Sequence, residues 1–475
     1  MKKYIYIILV SIITFSCTED FLEESDRDKV IPKTVEDYSQ LLYGEAYIND
    51  NSIASVVRYM TDDVTSKTGK KGWFGVTDKR ESVAGYYNWQ AEPEYNYSVG
   101  IAEDKNWGDL YHSILICNIV LDVADASDGS EAEKSQLKAE AYFVRAFDYF
   151  LLVNLFGEPY VNGAEMGVPI NDLIGMEDVR FTRSTTGEVY TRIKSDLDKA
   201  IELFGKVNSK PTIFKGNLKA SLLLASRVAL YTKDWKSTIE YADDLLKISP
   251  TLKNLDKDYV NNEPFINRKN PEILYTYGYY YDGAFSQSAT YFFTYSDEID
   301  QLLSTDGDIR SRAFFKIVTG YYGSTSLAKS DVADETGAYG YAFRTAEAYL
   351  NRAEAYAEMK NISGCINDLN YLRANRFSKS ADVSATTPEE ALELARIERR
   401  TELCFEGHRW FDLRRQGCPR IEHKFMIDYK NVGMHEVYVL NENDAAYTLP
   451  LPLAVSEIET TMKNIKRPVR NHINK

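Results

Sequence analysis

Apolar residues recur at three- and four-residue spacing over most of the chain, and two long stretches break that rhythm. From Thr34 to Tyr47 the spacing predicts a helix capped by Thr34, with Leu41 and Leu42 turned to a core. The period resumes from Trp107 to about Ala124, where Leu110, Ile114, Cys117, Ile119 and Leu121 are apolar. A longer helix is expected over about Ala132 to Phe156, stopped by Gly157 with Pro159 behind it. These two form an antiparallel pair. Another helix is expected in Arg183 to Phe204, with Val189, Ile193, Leu197, Ala200 and Ile201 on one face. Leu218 to Pro250 and Tyr341 to Asn375 have the offsets of tetratricopeptide-type hairpins. Trp235 marks the turn of the first, ahead of Ala242 and Leu245; Ala353, Tyr356, Ile362, Cys365, Leu369 and Leu372 keep the pattern in the second. A hairpin of this kind buries its apolar face only on a neighbour. The expected fold is therefore mainly α, a right-handed scaffold of about four helix pairs.

The two interruptions run over about 65–106 and 252–338. The first is rich in Gly, Asn and aromatics, with Trp73, Phe74, Tyr86, Tyr87, Trp89, Tyr95 and Tyr97. The second carries ILYTYGYYYDGAF and YFFTY, with Tyr275, Tyr277, Tyr279, Tyr280 and Tyr281, and part of it is expected to be strand. Loops of this length are functional or disordered, and their aromatic content argues against disorder. They predict a partly β, loop-rich face on the helical body.

Composition sharpens this picture. Aromatics make up 13% of the chain and include 35 tyrosines, more than a core needs, so some rings are expected on display. A net charge of -15 without a basic stripe argues against a sequence-independent hold on nucleic acid. Lys2 and Lys3 precede an apolar run from Tyr4 to Phe15, too short to span a membrane and shaped like an export signal. Ser16-Cys17 resembles a bacterial lipobox, although Thr14 stands where leucine is usual. Residues 1–16 are therefore expected to be a signal peptide, Cys17 the lipidated N-terminus, and 17–33 an acidic tether. The remainder, 34–475, is expected to be one domain. Cys117, Cys365, Cys404 and Cys418 are scattered and form no disulfide framework.

The densest chemistry lies in Ile397 to Arg415, IERRTELCFEGHRWFDLRR. Glu398, Glu402 and Glu406 fall at successive four-residue steps, on one face of a helix. Gly407 breaks the pattern, and Arg409, Trp410, Asp412, Arg414 and Arg415 follow. The composition suits a partly buried ion-pair network under aromatic rings, a lock on the C-terminal segment. Glu402, Glu406, Arg409, Trp410 and Asp412 are its expected structural members.

Several segments in shared order resemble the SusD/RagB-like outer-membrane lipoproteins of Bacteroidetes: RYMTDDV, WGDLYHSILIC, AEAYFVRAFDYFLLVNLFGEP, RSTTGEVYTRIKSDLDKA, FRTAEAYLNRAEAYAE, the stretch above and YTLPLPLAVSEI. The resemblance implies a helical fold with tetratricopeptide-like units on one side and a variable face on the other. It also implies a lipid-anchored surface protein that binds a glycan and delivers it to a SusC-like TonB-dependent transporter. Carried over by position, the family's aromatic pair falls on Tyr87 and Trp89, with Asn88 between, and its later tyrosines on Tyr279, Tyr280 and Tyr281. Trp73, Tyr86 and Arg80 join them on composition alone. Flat rings stack on the C–H faces of sugars while amides and guanidinium groups bond the hydroxyls.

Other chemistry is weaker. A tyrosine-rich face also suits peptides, so capture of a peptide or protein fragment is the alternative. Hydrolysis of surface glycan needs a placed carboxylate pair, and with 71 acidic residues some pair always looks suitable. No nucleophile elbow, phosphate loop or HExxH is present, and no cofactor is expected. Cys404, His408, Cys418 and His423 have the residue types of a zinc site, but their spacing fits no common pattern. The Asp306 to Arg310 loop lacks the spaced oxygens of a calcium loop and reads as a turn paired to Arg310.

Overall fold

The structure is a computed structural model and describes residues 32–48, 56–66, 83–96, 100–101, 106–175, 179–207, 212–261, 263–278, 293–318, 324–327, 329, 340–426, 435–459 and 461–471. The expected signal peptide, Cys17 and the expected tether up to residue 31 lie outside the described residues. So do Trp73, Arg80, Tyr279, Tyr280 and Tyr281.

The fold is mainly helical. Helix α1 spans Val35–Glu45 and begins in a capping box between Thr34 and Asp37, where two side chains satisfy the N–H groups that a helix start leaves open. Helices α2 (Asn106–Val123) and α3 (Glu131–Phe156) follow, the latter capped by Ser130 and ended by Gly157. Helix α4 spans Thr186–Lys206, α5 Leu218–Tyr231 and α6 Trp235–Ile248. Helices α7 (Thr345–Glu358), α8 (Ile362–Ala374), α9 (Pro388–Glu402) and α10 (Arg409–Arg415) complete the body. Successive helices from α2 to α6 pack on one another, α6 packs on α7, and α7 meets both α8 and α9. The α5–α6 turn places Lys233 at a positive φ ahead of the Asp234 cap, so Trp235 opens the second helix.

One buried cluster runs from Val35 to Met462 and takes its largest share from α3, whose last fourteen residues are all buried. Fully burying one large apolar side chain contributes roughly 1.5–3 kcal/mol, so α3 is the spine of the body. Among the described residues, no helix is long and apolar enough to cross a membrane.

Among the described residues, strands occur only as antiparallel pairs. Val64–Ser66 (β1) pairs with Phe293–Tyr295 (β5), and Ile273–Tyr277 (β4) with Tyr341–Arg344 (β8). Ile421–Met426 (β9) pairs with His435–Leu440 (β10), while Tyr95–Asn96 (β2) with Gly100–Ile101 (β3) and Phe315–Val318 (β6) with Ser324–Leu327 (β7) form local ribbons. The second hairpin therefore starts at Thr345, because the four residues before it are claimed by β4. A second buried cluster, including Tyr59, Tyr87, Phe265, Phe293, Phe314 and Phe405, lies beneath these ribbons.

Candidate functional site

The aromatic segment expected as a ligand platform lies inside the molecule. A short helix at 83–87 leads into it, and Gly85 is required there because a Cβ would meet the Pro93 carbonyl oxygen at 2.3 Å. Trp89 then takes a left-handed φ of 50°, a conformation that costs a bulky residue energy and must be held by its surroundings. What holds it is His423 of β9. The imidazole stacks on Tyr87 with centroids 4.2 Å apart and on Trp89 with centroids 4.1 Å apart. Its Nδ1 lies 2.8 Å from the Tyr87 carbonyl and its Nε2 3.0 Å from that of Thr61. Burial pushes this imidazole down to about 4. A neutral ring carries one N–H and so donates to one of these carbonyls.

The polar ends of both rings are also spent. Trp89 Nε1 donates to the Met60 carbonyl at 3.0 Å, and the Tyr87 hydroxyl accepts from the Ser66 N–H and donates to the Lys424 carbonyl. Tyr87 and Trp89 are fully buried, and Tyr86 and Asn88 are buried beside them. This corrects the reading of these four as displayed contacts. Tyr87 and Trp89, stacked on His423 and with their donors bonded to backbone carbonyls, form an aromatic plug under the irregular face. The sequence offered His423 only as a zinc-type residue and not as a member of this plug; Ile421, His423 and Phe425 alternate along a strand and share a face, the pattern that marks it as inward.

The Ile397 to Arg415 stretch forms the charged heart of the molecule. Glu402 closes α9, Phe405 and Gly407 turn the chain at positive φ, and Glu406 folds back beside Glu402 although it lies past the helix. Glu402 accepts from Arg376 Nη2 and Arg344 Nη1, both at 2.9 Å, and from Arg310 Nη1 at 3.2 Å. Glu406 accepts from Arg344 at 2.7 and 2.8 Å and pairs with Lys329 at 2.5 Å. Glu272 bonds Arg376 and Arg344, Asp308 bonds Arg310, and Glu398 joins Arg310 to Arg373. Five carboxylates thus interlock with five cations. Burial alone would raise Glu402, but Arg376, Arg344 and Arg310 hold it far below the usual carboxylate range. Every one of these acids is committed to cations, which leaves no free proton carrier for acid/base work.

Helix α10 extends the lock. Asp412 accepts from Arg399 at 2.9 and 3.0 Å and from Arg415 at 2.8 Å, and Arg409 forks onto Asp62 at 2.6 and 2.8 Å. Trp410 stacks on Tyr447 of the C-terminal segment, and Arg414 bonds the carbonyls of Gly157 and Tyr447. Arg400 engages Asp63 at 2.8 Å, whose carboxyl burial pushes up to about 6 against that pairing. Cys404 and Cys418 are buried free thiols, and among the described residues no three metal-ligating side chains converge. In the Asp306 to Arg310 loop, Asp308 bonds the Arg310 guanidinium, the turn its spacing suggested.

Two family models match the chain in tandem. One, described as starch-binding and associating with the outer membrane, covers residues 20–230, and the SusD family covers 235–463. A SusD-like protein of Formosa agariphila is 22% identical over 95% of this chain and 96% of its own length. Among solved structures, a SusD-like carbohydrate binding protein from Bacteroides vulgatus superposes with a TM-score of 0.67 at 20% identity, covering 92% of this chain and 98% of that one. A SusD superfamily protein from Bacteroides thetaiotaomicron gives 0.70 at 22% identity, covering 91% and 100%. At these identities the structural likeness concerns the fold.

Proposed function

Because the chain belongs to the SusD/RagB-like family of nutrient-binding outer-membrane proteins, we propose that it captures a glycan at the cell surface and passes it to a SusC-like TonB-dependent transporter. It is lipidated at Cys17 and held by the 17–33 tether, and it binds without catalysing. The observation that supports a ligand face is the pairing of β1 with β5. Ser66 and Phe293 are register partners, so the stretch that carries Trp73 and Arg80 leaves the ladder where the stretch from Tyr279 to residue 292 enters it. The other end of that second stretch is fixed at Gly278, whose N–H bonds the Ile48 carbonyl at 2.8 Å and whose carbonyl accepts from the Gly340 N–H at 2.9 Å. The plug of Tyr87, His423 and Trp89 packs against this ladder, with Tyr87 4.9 Å from the Phe293 ring and bonded to the Ser66 N–H. Side chains on a supported edge bind with less entropic cost than side chains on a free loop.

Trp73, Arg80, Tyr279, Tyr280 and Tyr281 are the contacts we assign, while the buried Tyr86, Tyr87, Asn88 and Trp89 support the fold. Calorimetry of the full chain against neutral oligosaccharides and a peptide mixture tests this. Trp73→Ala and Tyr280→Ala are each expected to weaken glycan affinity about tenfold, the loss of one stacked ring at about 1.4 kcal/mol, without moving the Tm. Peptide retention with no glycan retention would establish the alternative ligand class instead.

A further inference from the structure

Among the described residues, the buried arginines are paired, with one exception. Arg467, on the C-terminal strap 461–471, is 5% exposed, yet its Nε, Nη1 and Nη2 have no hydrogen-bond partner. Among the described residues it is the only buried arginine with every nitrogen unsatisfied. Its charged surroundings are Arg470, Asp444 and Glu94, with Tyr86 also close. The two carboxylates act on it through space, but none of these groups hydrogen-bonds it. Asp444 is taken by an ion pair with Arg470 and by the N–H groups of Ala446 and Asn441. Arg470 donates to the carbonyls of Val439 at 3.0 Å and Trp89 at 2.5 Å, and its Nη2 pairs with Asp444 Oδ2. Glu94 is buried and makes no hydrogen bond to Arg467. Burial and the like charge of Arg470 lower the Arg467 guanidinium to about 9, so it stays cationic at neutral pH.

We propose that Arg467 is a binding site for an oxyanion, a carboxylate or sulfate group held between the C-terminal strap and the 83–94 segment. A buried unpaired cation is strongly unfavourable, and water would supply acceptors without counter-charge. The planar fork of a guanidinium matches two oxygens of one oxyanion. The acidic net charge does not oppose this, since at physiological salt charges beyond about 8 Å are largely screened. Two sources carry such a group, a free ion and an acidic substituent of a sugar. Only the second source rests on the glycan reading above.

The test uses the full chain at constant ionic strength, with galacturonate, sulfate, galactose and chloride as probes. Calorimetry and thermal melts are expected to show saturable binding and stabilisation by galacturonate and sulfate, and none by galactose. Arg467→Met abolishes that response, and Arg467→Lys, which keeps the charge but loses the fork, weakens it at least tenfold, so the comparison survives if the methionine variant does not fold. No saturable response in the unmodified protein, or an equal response in Arg467→Lys, overturns the site. An oligogalacturonide that binds tenfold tighter than the monomer assigns the oxyanion to a glycan; equal affinity assigns it to a free ion, and both outcomes keep the site. If all glycans fail to bind while the sulfate response persists, the glycan reading falls and the anion site stands.

Discussion

Ser113 has one hydroxyl proton and two close oxygens, the Ala46 carbonyl at 2.9 Å and Asp148 Oδ2 at 2.5 Å. Asp148 is wholly buried, its Oδ1 has no partner, and burial pushes its carboxyl well above the usual range. The count closes if Asp148 is a neutral acid donating to Ser113, which donates in turn to Ala46. A carboxyl whose folded pKa is raised binds more protons folded than unfolded, so it withdraws stability as pH climbs from about 4, the unfolded value, toward the folded one. Asp148→Asn cannot titrate, so its Tm relative to the unmodified protein is expected to rise by about 1–3 °C between pH 4 and pH 8. Melts across that range check it, and a difference independent of pH would refute the neutral acid. The Tyr87 and Trp89 outcome belongs to the same scale. Sequence identifies a ring with a polar end, but whether a Ser66 N–H or a Met60 carbonyl waits for that end is decided by chain segments far apart in sequence.

At the scale of elements, the long helices were legible because each has its own period and stop signals. Ser130 and Gly157 bracket α3, and Thr185 caps α4. The misreading at Tyr341–Arg344 has the opposite cause, since four residues of strand carry too little pattern to declare a partner in β4. The α9–α10 turn is an intermediate case. The four-residue steps brought Glu398 and Glu402 to one face, yet the return of Glu406 depends on positive φ at Phe405 and Gly407. Glu402→Ala would leave Arg376, Arg344 and Arg310 short of an acceptor in a buried lattice, at a cost of about 3–5 kcal/mol. A fall in Tm of several degrees is expected, and an unchanged Tm would show that the arginines re-pair. The pH dependence has the sign opposite to that of Asp148. Glu402 is depressed in the folded state, so its contribution is complete above about pH 4.3, the unfolded value, and is lost as pH falls toward the folded one.

For the whole molecule, the division of labour lies between a body locked by buried ions and a face carried on short ribbons. The body was readable because helical repeats are local. The face was not, because the β1–β5 ladder joins residues more than two hundred positions apart, and the plug beneath it takes His423 from the far end of the chain. This arrangement separates stability from capture. Asp412 is buried under Arg399 and Arg415, whereas Arg409 and Asp62 are both partly open to solvent. Removing Asp412 strands two buried cations, each with another partner, Asn351 for Arg399 and Glu354 for Arg415. Removing Arg409 frees an acid that Arg400 still reaches at 3.3 Å. Asp412→Ala is therefore expected to cost about 3 kcal/mol and Arg409→Ala about 1 kcal/mol. Denaturant melts give that ranking, and calorimetry on the folded fraction is expected to give unaltered glycan affinity in both. If either variant kept its stability and lost its ligand, the charged stretch would belong to the binding face, and the plug would be its neighbour instead of its support.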